Sequence, residues 1–294
     1  MPQEAIFGLD RRIFLARLGS FVASLAALPR ISKAKPSDIR FGLTPVFLTS
    51  DLELLGRLQA YLARATGFPI SLITRRTYQE IVALLISRQI DAAWICGYPY
   101  VMHATELQLV ALPRWRGRPL YQSYLIVDAD RQAESLSDLK GDVHAFSDPD
   151  SNSGFLVTRA ALAEAQFRPE TFFERTFFTY GHRNVIRAVA SGLATSGSVD
   201  GYVYELVAEL EPALAARTRI LQRSEWLGFP PIAAPRIAVD NARLERLSAA
   251  LLSMAMDDDG RAILAMLRLD GFGREDVDLF DPIAAKAAIV ALAG

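Results

Sequence analysis

The sequence predicts an α/β fold with two lobes, each a mostly parallel sheet flanked by helices, joined by two crossing strands. First, apolar segments typical of buried strands alternate with amphipathic helical segments from residue 39 onwards. Second, the strand and helix order recurs in a second series after residue 126. Third, the composition is globular, since 51% of the 294 residues are hydrophobic and 22% are charged.

The N-terminal segment has the features of an export signal. Arg11 and Arg12 are followed by Phe14 and Leu15 at the spacing of a twin-arginine motif, and a short apolar stretch comes next. That stretch is shorter than the ~20 apolar residues that span a bilayer. An amphipathic N-terminal helix of a cytoplasmic protein is the alternative. We expect a twin-arginine-type signal peptide over residues 1–34, and a soluble periplasmic protein without a lipid anchor because no cysteine lies near residue 34.

The first series of elements predicts three strands and two helices. The strand IRFGLTPVF leads into a helix that Ser50 and Glu53 open as a capping box. The strand ISLITR follows, and Thr77 with Glu80 opens the next helix in the same way. A third strand, DAAWIC, ends at the loop GYPY. This order favours parallel strands connected by helices.

A long strand, LYQSYLIVDA, leaves the first unit, and the second series follows it. Strands DVHAFS, RTFFTYG and SVDGYVYE alternate with helices, the last of which starts at about Glu205. The chain returns through TRILQRS and FPPIAAPRIAV to a helical C-terminus. We therefore expect lobe 1 over residues 35–125 and 223–294, and lobe 2 over residues 126–222.

Composition excludes several classes of function. The net charge of −1 leaves no basic field for nucleic acid. The single cysteine, Cys96, cannot form an intramolecular disulfide, and we expect a buried structural thiol. The three histidines lack metal-ligand spacing, and the glycines fit neither a dinucleotide fingerprint nor a P-loop, so we expect no metal and no cofactor.

Ligands of such sheets bind beyond the carboxyl ends of the strands, at the loops that open the helices. We expect six loops to share that edge, at residues 43–47, 74–79, 96–100, 147–154, 179–183 and 198–204.

The loop SDPDSNSG predicts an oxyanion site. A helix start offers unpaired backbone N–H groups and a partial positive charge, and Ser151, Asn152 and Ser153 add side-chain donors. Gly154 lets the backbone approach a ligand closely. His182 precedes another helix of the same lobe and can donate to the same anion. The alternatives are an ordinary helix cap for the serines and a buried structural histidine.

Three segments together resemble the phosphonate, phosphite and phosphate type of ABC-transporter solute-binding protein. They are YQEIVALLISRQIDAAWICGYPYV, SDPDSNSGFLVTRAAL and GHRNVIRAVASGLATSGSVDGYVYE, and the resemblance covers roughly residues 39–285. It implies a type II periplasmic-binding fold that closes two lobes on a ligand.

The resemblance also implies roles for particular residues. By this likeness Ser151, Asn152, Ser153 and His182 hold the anion oxygens. Tyr78, Tyr100 and Asp200 would shape the organic part of the ligand, although the tyrosines could instead cover a helix start or pack between strands, and Asp200 could cap locally. Asn152 stands where a small hydroxyl residue is common, and GYPY is bulkier than usual, so phosphonate, phosphite, phosphate and unrelated anions remain open.

Three functions fit these observations. The first is the periplasmic binding component of an ABC importer, a monomer that delivers a small oxyanion to an inner-membrane permease. The second is an extracytoplasmic sensor that presents its ligand to a histidine kinase. The third, an enzyme in which Ser153, His182 and Asp200 act together, lacks a Gly-x-Ser-x-Gly elbow, and we expect no catalytic residues.

Overall fold

The computed structural model describes residues 38–45, 52–238 and 240–293 of the chain. The predicted signal peptide over residues 1–34 and the predicted capping residue Ser50 lie outside this range.

The strands of the described residues alternate with helices along most of the chain. They are β1 (Ile39–Leu43), β2 (Ile70–Thr74), β3 (Ala92–Trp94), β4 (Leu107–Arg114), β5 (Leu120–Tyr121), β6 (Ser123–Asp128), β7 (Val143–Phe146), β8 (Arg175–Phe178), β9 (Ser196–Asp200), β10 (Thr218–Arg223), β11 (Leu227–Gly228), β12 (Ile232–Pro235) and β13 (Gly271–Gly273).

The α-helices range from one turn to four turns. They are α1 (Leu52–Thr66), α2 (Tyr78–Ile86), α3 (Gly97–Met102), α4 (Val157–Glu164), α5 (Pro169–Phe172), α6 (His182–Ala190), α7 (Gly201–Leu210), α8 (Pro212–Ala215), α9 (Asn241–Leu252), α10 (Asp258–Leu267) and α11 (Asp281–Ala293). Among the described residues, no helix is both long and apolar enough to cross a bilayer.

Two mixed sheets organise these strands. In the six-stranded sheet of the described residues the order is β13-β4-β12-β3-β1-β2, and in the five-stranded sheet it is β10-β6-β9-β7-β8. Each has a three-stranded parallel part, β3-β1-β2 in the first and β9-β7-β8 in the second. The remaining strands are added antiparallel. The predicted α/β class is confirmed, and parallel pairing holds for the strands that alternate directly with helices.

The two connections between the sheets pair with each other. Strands β5 and β11 form a short antiparallel ribbon in which Tyr121 faces Leu227 and Leu120 faces Gly228. The segment predicted as one long strand, LYQSYLIVDA, is divided at Gln122 into β5 and β6, because its two halves pair with different partners.

Local signals explain several element boundaries. Thr77 and Glu80 form the predicted capping box of α2. Asp200 caps α7 by accepting a hydrogen bond from the Val203 N–H at 3.1 Å, so this helix starts at Gly201, earlier than predicted. The predicted loop GYPY is the start of α3, where Pro99 is tolerated because the first turn of a helix needs no N–H donor from it.

Buried apolar side chains hold the helices against both sheets. In the first sheet Phe41 of β1 packs in a cluster with Leu62 of α1, Ile81 of α2 and Ile263 of α10, all at most 1% exposed. Each such side chain contributes roughly 1.5–3 kcal/mol of burial free energy. The scaffold around the strand ends is therefore well packed.

Candidate functional site

The carboxyl ends of strands from both sheets meet at a buried group of polar side chains. Cys96 follows β3, Ser147 follows β7 and Asp200 ends β9, while α2 and α6 begin with Tyr78 and His182. All are at most 2% exposed. We call this group the polar cluster, and its members are Tyr78, Cys96, Tyr121, Ser147, Asp148, Ser151, Asn152, Ser153, His182 and Asp200.

A widened helical turn presents the serines. Ser151 Oγ accepts a hydrogen bond from the Gly154 N–H at 3.0 Å, which makes it the N-cap of the turn. The Leu156 N–H reaches back five residues to the Ser151 carbonyl at 3.0 Å, so Asn152–Leu156 is a π-type turn that continues into α4. Such turns are frequent at functional sites because they redirect side chains.

Gly154 is required by close packing beneath this turn. A Cβ at this position would overlap Ser147 Oγ and lie 3.0 Å from Cε1 of His182. The Ser147 N–H also donates to the Gly154 carbonyl at 3.1 Å. The absence of a side chain therefore lets the turn approach Ser147 and His182.

Three polar atoms of the cluster are buried without a hydrogen-bond partner among the described residues: the hydroxyl oxygens of Ser147 and Ser153 and the amide oxygen of Asn152. Leaving such a group unpaired costs about 1–3 kcal/mol. Unpaired buried polar atoms in a folded protein call for an explanation, and a ligand that pairs with them supplies one.

The hydrogen bonds of His182 define its protonation state. The Asp200 N–H donates to Nδ1 at 3.0 Å, so Nδ1 carries a lone pair. Burial lowers the pKa of His182 to about 3, so the ring is neutral at neutral pH and its proton lies on Nε2. Nε2 is 3.2 Å from the Tyr78 hydroxyl oxygen. That oxygen accepts from Nε2–H, which leaves the Tyr78 O–H as a donor for another group.

Two buried carboxyl groups set the electrostatics. Burial raises the pKa of Asp200 to about 7, and it also raises the pKa of Asp148, in each case against backbone hydrogen bonds that lower it. Among the described residues no Lys or Arg acts on either carboxyl group or on His182. The polar cluster therefore consists of neutral donors, neutral acceptors and two acidic groups.

Hydrogen bonds at the cluster connect elements of the two sheets. Asp148, after β7 of the second sheet, accepts from the Tyr78 N–H of α2 at 3.2 Å. A second hydrogen bond has its acceptor in the first sheet: Cys96 Sγ, after β3, accepts from the N–H of Asn152, which lies after β7 of the second sheet, at 3.2 Å. Burial raises the pKa of the Cys96 thiol to about 12, which fits the predicted structural role.

The structure brings together six of the seven residues predicted to bind the ligand. Ser151, Asn152, Ser153, His182, Tyr78 and Asp200 are all members of the polar cluster. Tyr100 is not a member: its ring packs against Phe280 with 4.8 Å between the ring centroids. A ligand role for Tyr100 stays a prediction.

Sequence reasoning did not single out Ser147, Asp148 and Tyr121. The first two lie in the predicted ligand loop directly after β7, and this position at a strand end was an available signal. No local sequence signal indicates Tyr121, because its contact is distant in sequence. Its hydroxyl accepts a hydrogen bond at 2.8 Å from Nδ2 of Asn152, 31 residues further along the chain.

The other histidines have separate surroundings. His144 is buried between the hydroxyl groups of Ser196 and Ser198, each 2.8 Å from a ring nitrogen, and its ring stacks on Phe173. His103 pairs with Glu106 nearer the surface. Within the described ranges no group of three or more His, Cys, Asp or Glu side chains is arranged to hold a metal ion.

Comparison with known proteins identifies relatives of this chain. The family described as ABC transporter, phosphonate, periplasmic substrate-binding protein matches residues 41–279. A binding protein component of an ABC phosphonate transporter from Pseudomonas aeruginosa superimposes with a TM-score of 0.80 at 21% identity, covering 88% of each chain.

Two further solved structures have the same fold. PhnD1 from Prochlorococcus marinus, in complex with methylphosphonate, gives a TM-score of 0.78 at 16% identity and covers 87% of this chain and 99% of that one. A protein from Xanthomonas citri bound to chloride ion gives a TM-score of 0.70 at 18% identity, covering 87% of this chain and 98% of that one. These likenesses support the type II periplasmic-binding fold.

Proposed function

The chain belongs to the family of periplasmic substrate-binding proteins of phosphonate ABC transporters, and from this premise we propose that it captures a small phosphorus oxyanion at the polar cluster. The ligand class is a phosphonate, phosphite or phosphate, delivered to an ABC permease in the inner membrane.

The observation that carries this proposal is the set of unpaired polar atoms at one helix start. The Ser147 and Ser153 hydroxyl groups have no partner within the described part of the chain, and both are fully buried. They lie beside the turn before α4, and the partial positive charge of a helix start favours an anion. An oxyanion accepting from both hydroxyl groups would remove the cost of leaving them unpaired.

Tyr78 supplies a third donor from the other sheet. Its hydroxyl accepts from His182 and keeps its own proton for a ligand oxygen. Burial raises the pKa of Tyr78 well above its usual value, so this phenol remains protonated at neutral pH. Donors from both sheets would then converge on one anion.

We assign the ligand to a cleft between two lobes, residues 35–125 with 223–294 and residues 126–222. The contacts of Asp148 with Tyr78 and of Cys96 with Asn152 join these lobes, as expected of a closed conformation. The ribbon of β5 and β11 is the connection about which the lobes would rotate on ligand release.

The hydrogen bonds of His182 favour binding over catalysis. A Ser153 nucleophile would need a base with a free lone pair. Nδ1 of His182 already accepts from the Asp200 N–H, and Nε2 carries the proton directed at Tyr78. We therefore propose that the protein releases its ligand chemically unchanged.

Export and partner choice complete the proposal. The twin-arginine motif at Arg11 and Arg12 supports transfer to the periplasm in a folded state. Delivery to a permease and presentation to a histidine kinase use the same binding step, and the family assignment favours the permease.

Titration calorimetry of protein freed of ligand by unfolding and refolding tests the proposal. We expect at least one of phosphate, phosphite, methylphosphonate and 2-aminoethylphosphonate to bind with a micromolar or smaller Kd. Ser137→Ala, a change at an exposed serine, serves as the matched control for Ser153→Ala. The absence of heat from all four compounds would contradict the proposal.

A further inference from the structure

The amide oxygen of Asn152 is an unpaired acceptor among the hydroxyl donors of the polar cluster. Nδ2 of the same amide donates to the Tyr121 hydroxyl at 2.8 Å, which directs Oδ1 away from Tyr121. Oδ1 is fully buried and has no partner among the described residues. An amide oxygen can only accept, so a fully deprotonated anion facing it would be repelled.

Charge around the cluster disfavours a dianion further. Cys96 and Tyr121 contact Asn152 directly, and the charge of Asp200 acts on both. Asp148 acts on Cys96, and Asp150 acts on Asp148. None is a cation at neutral pH, and Asp148 and Asp200 are acidic. Because no cation lies beside these carboxyl groups, ionisation of either one makes a further buried negative charge more costly.

From these two observations we infer that the protein selects the singly protonated, monoanionic form of its phosphorus oxyanion. The ligand P–O–H donates to Oδ1 of Asn152, while the unprotonated oxygens accept from Ser147, Ser153 and Tyr78. This inference rests on the proposed function and adds the protonation state that the site recognises.

The pH dependence of binding follows from ligand chemistry. A phosphate ester loses its second proton at about pH 6, and alkylphosphonates do so near neutrality as well. Above that pH the fraction of ligand present as the monoanion falls tenfold with each pH unit. The apparent Kd should rise in proportion. Ionisation of Asp200 would act in the same direction, so its contribution has to be removed separately.

Calorimetry with methylphosphonate from pH 5.5 to 9 tests the inference. We expect the Kd of the wild-type protein to rise about tenfold per pH unit above the second ionisation of the ligand, and Asp200→Asn to retain this rise. Asn152→Ser, which replaces the acceptor by a hydroxyl that can also donate, should flatten it. Thermal unfolding of each variant shows whether it is folded.

Methanesulfonate is the matched probe because it carries the same single charge at every pH in this range but no O–H. At pH 5.5 it should bind at least about tenfold more weakly than methylphosphonate, the effect of leaving one buried acceptor unpaired.

The outcomes separate the two levels of the proposal. A Kd for methylphosphonate that stays constant with pH, or methanesulfonate binding as tight as methylphosphonate, would overturn the selection of a protonated ligand; an Asn152 amide turned to present its N–H would give that result. Failure of all the phosphorus oxyanions to bind at any pH would instead contradict the proposed function itself.

Discussion

The Asp200 backbone N–H donates to Nδ1 of His182 at 3.0 Å and thereby fixes the direction of a chain of hydrogen bonds. Because Nδ1 accepts, the neutral ring carries its proton on Nε2, beside the Tyr78 hydroxyl at 3.2 Å. The Tyr78 hydroxyl therefore keeps its own proton, which we propose it donates to the ligand. A backbone group at the end of one strand thus determines the polarity of a site formed by both sheets.

Nitrogen-15 NMR of the imidazole rings tests this relationship. Burial lowers the pKa of His182 to about 3, so we expect a neutral ring with the Nε2–H tautomer from pH 5 to pH 8. An imidazolium signal for His182 at pH 6, or an Nδ1–H tautomer, would show that the hydrogen-bond chain runs otherwise. His182→Ala identifies the resonances.

Removal of single donors should weaken ligand binding. Ser153→Ala and His182→Ala should each cost about 1–3 kcal/mol in binding free energy, since each removes or misdirects a hydrogen bond to a buried anion. Calorimetry with the tightest of the four oxyanions measures the change, with Ser137→Ala and His103→Ala as controls. Unchanged affinity in both site variants would place the ligand elsewhere.

The close approach at Gly154 predicts a steric cost. Gly154→Ala should destabilise the protein by roughly 1–3 kcal/mol, because the new methyl group overlaps Ser147 and crowds His182. Gly56→Ala in α1 is the matched control: its Cβ would meet nothing within 4 Å, and we expect a stabilisation of about 0.5–1 kcal/mol. Urea unfolding measures both, and equal effects would refute the packing argument.

Burial of Asp200 predicts a pH-dependent stability. Its pKa rises from 3.8 to about 7 on folding, so stability falls as pH rises from about 4 to about 7 and the cost persists above that. Asp200→Asn should therefore stabilise the protein by roughly 2–4 kcal/mol at pH 8 and by little at pH 4. An equal effect at both pH values would indicate an unshifted carboxyl group.

The buried histidines change the stability of the protein with pH in the opposite direction to Asp200. The pKa values of His144 and His182 fall from 6.5 to about 3, so below pH 6.5 the unfolded chain takes up protons that the folded protein does not. Stability from this source is lost as pH falls. The Asp200→Asn comparison at pH 8 and pH 4 is unaffected by this, because both proteins contain both histidines.

Local patterns in the sequence predicted much of the fold. The Thr77 and Glu80 capping box and the turn around Ser151 depend on residues three to five apart, and periodicity identified most strands. Strand β4 was not predicted, and the antiparallel additions to each sheet depend on pairings distant in sequence. Periodicity carries no information on such pairings.

The candidate site was predictable where it follows strand ends and not where it depends on long-range contacts. The serines and His182 lie on loops that any parallel sheet places together. By contrast, the contact of Asn152 with Tyr121 and of Asp148 with Tyr78 joins residues 31 and 70 positions apart. The tautomer of His182 likewise depends on Asp200, 18 positions away.

A crystal structure of the protein grown with methylphosphonate tests the central claim most directly. We expect phosphonate oxygens within hydrogen-bond distance, about 2.5–3.2 Å, of Ser153 Oγ and the Tyr78 hydroxyl, with one oxygen facing Oδ1 of Asn152. A phosphonate bound outside the polar cluster, with Ser147 and Ser153 still unpaired, would contradict it.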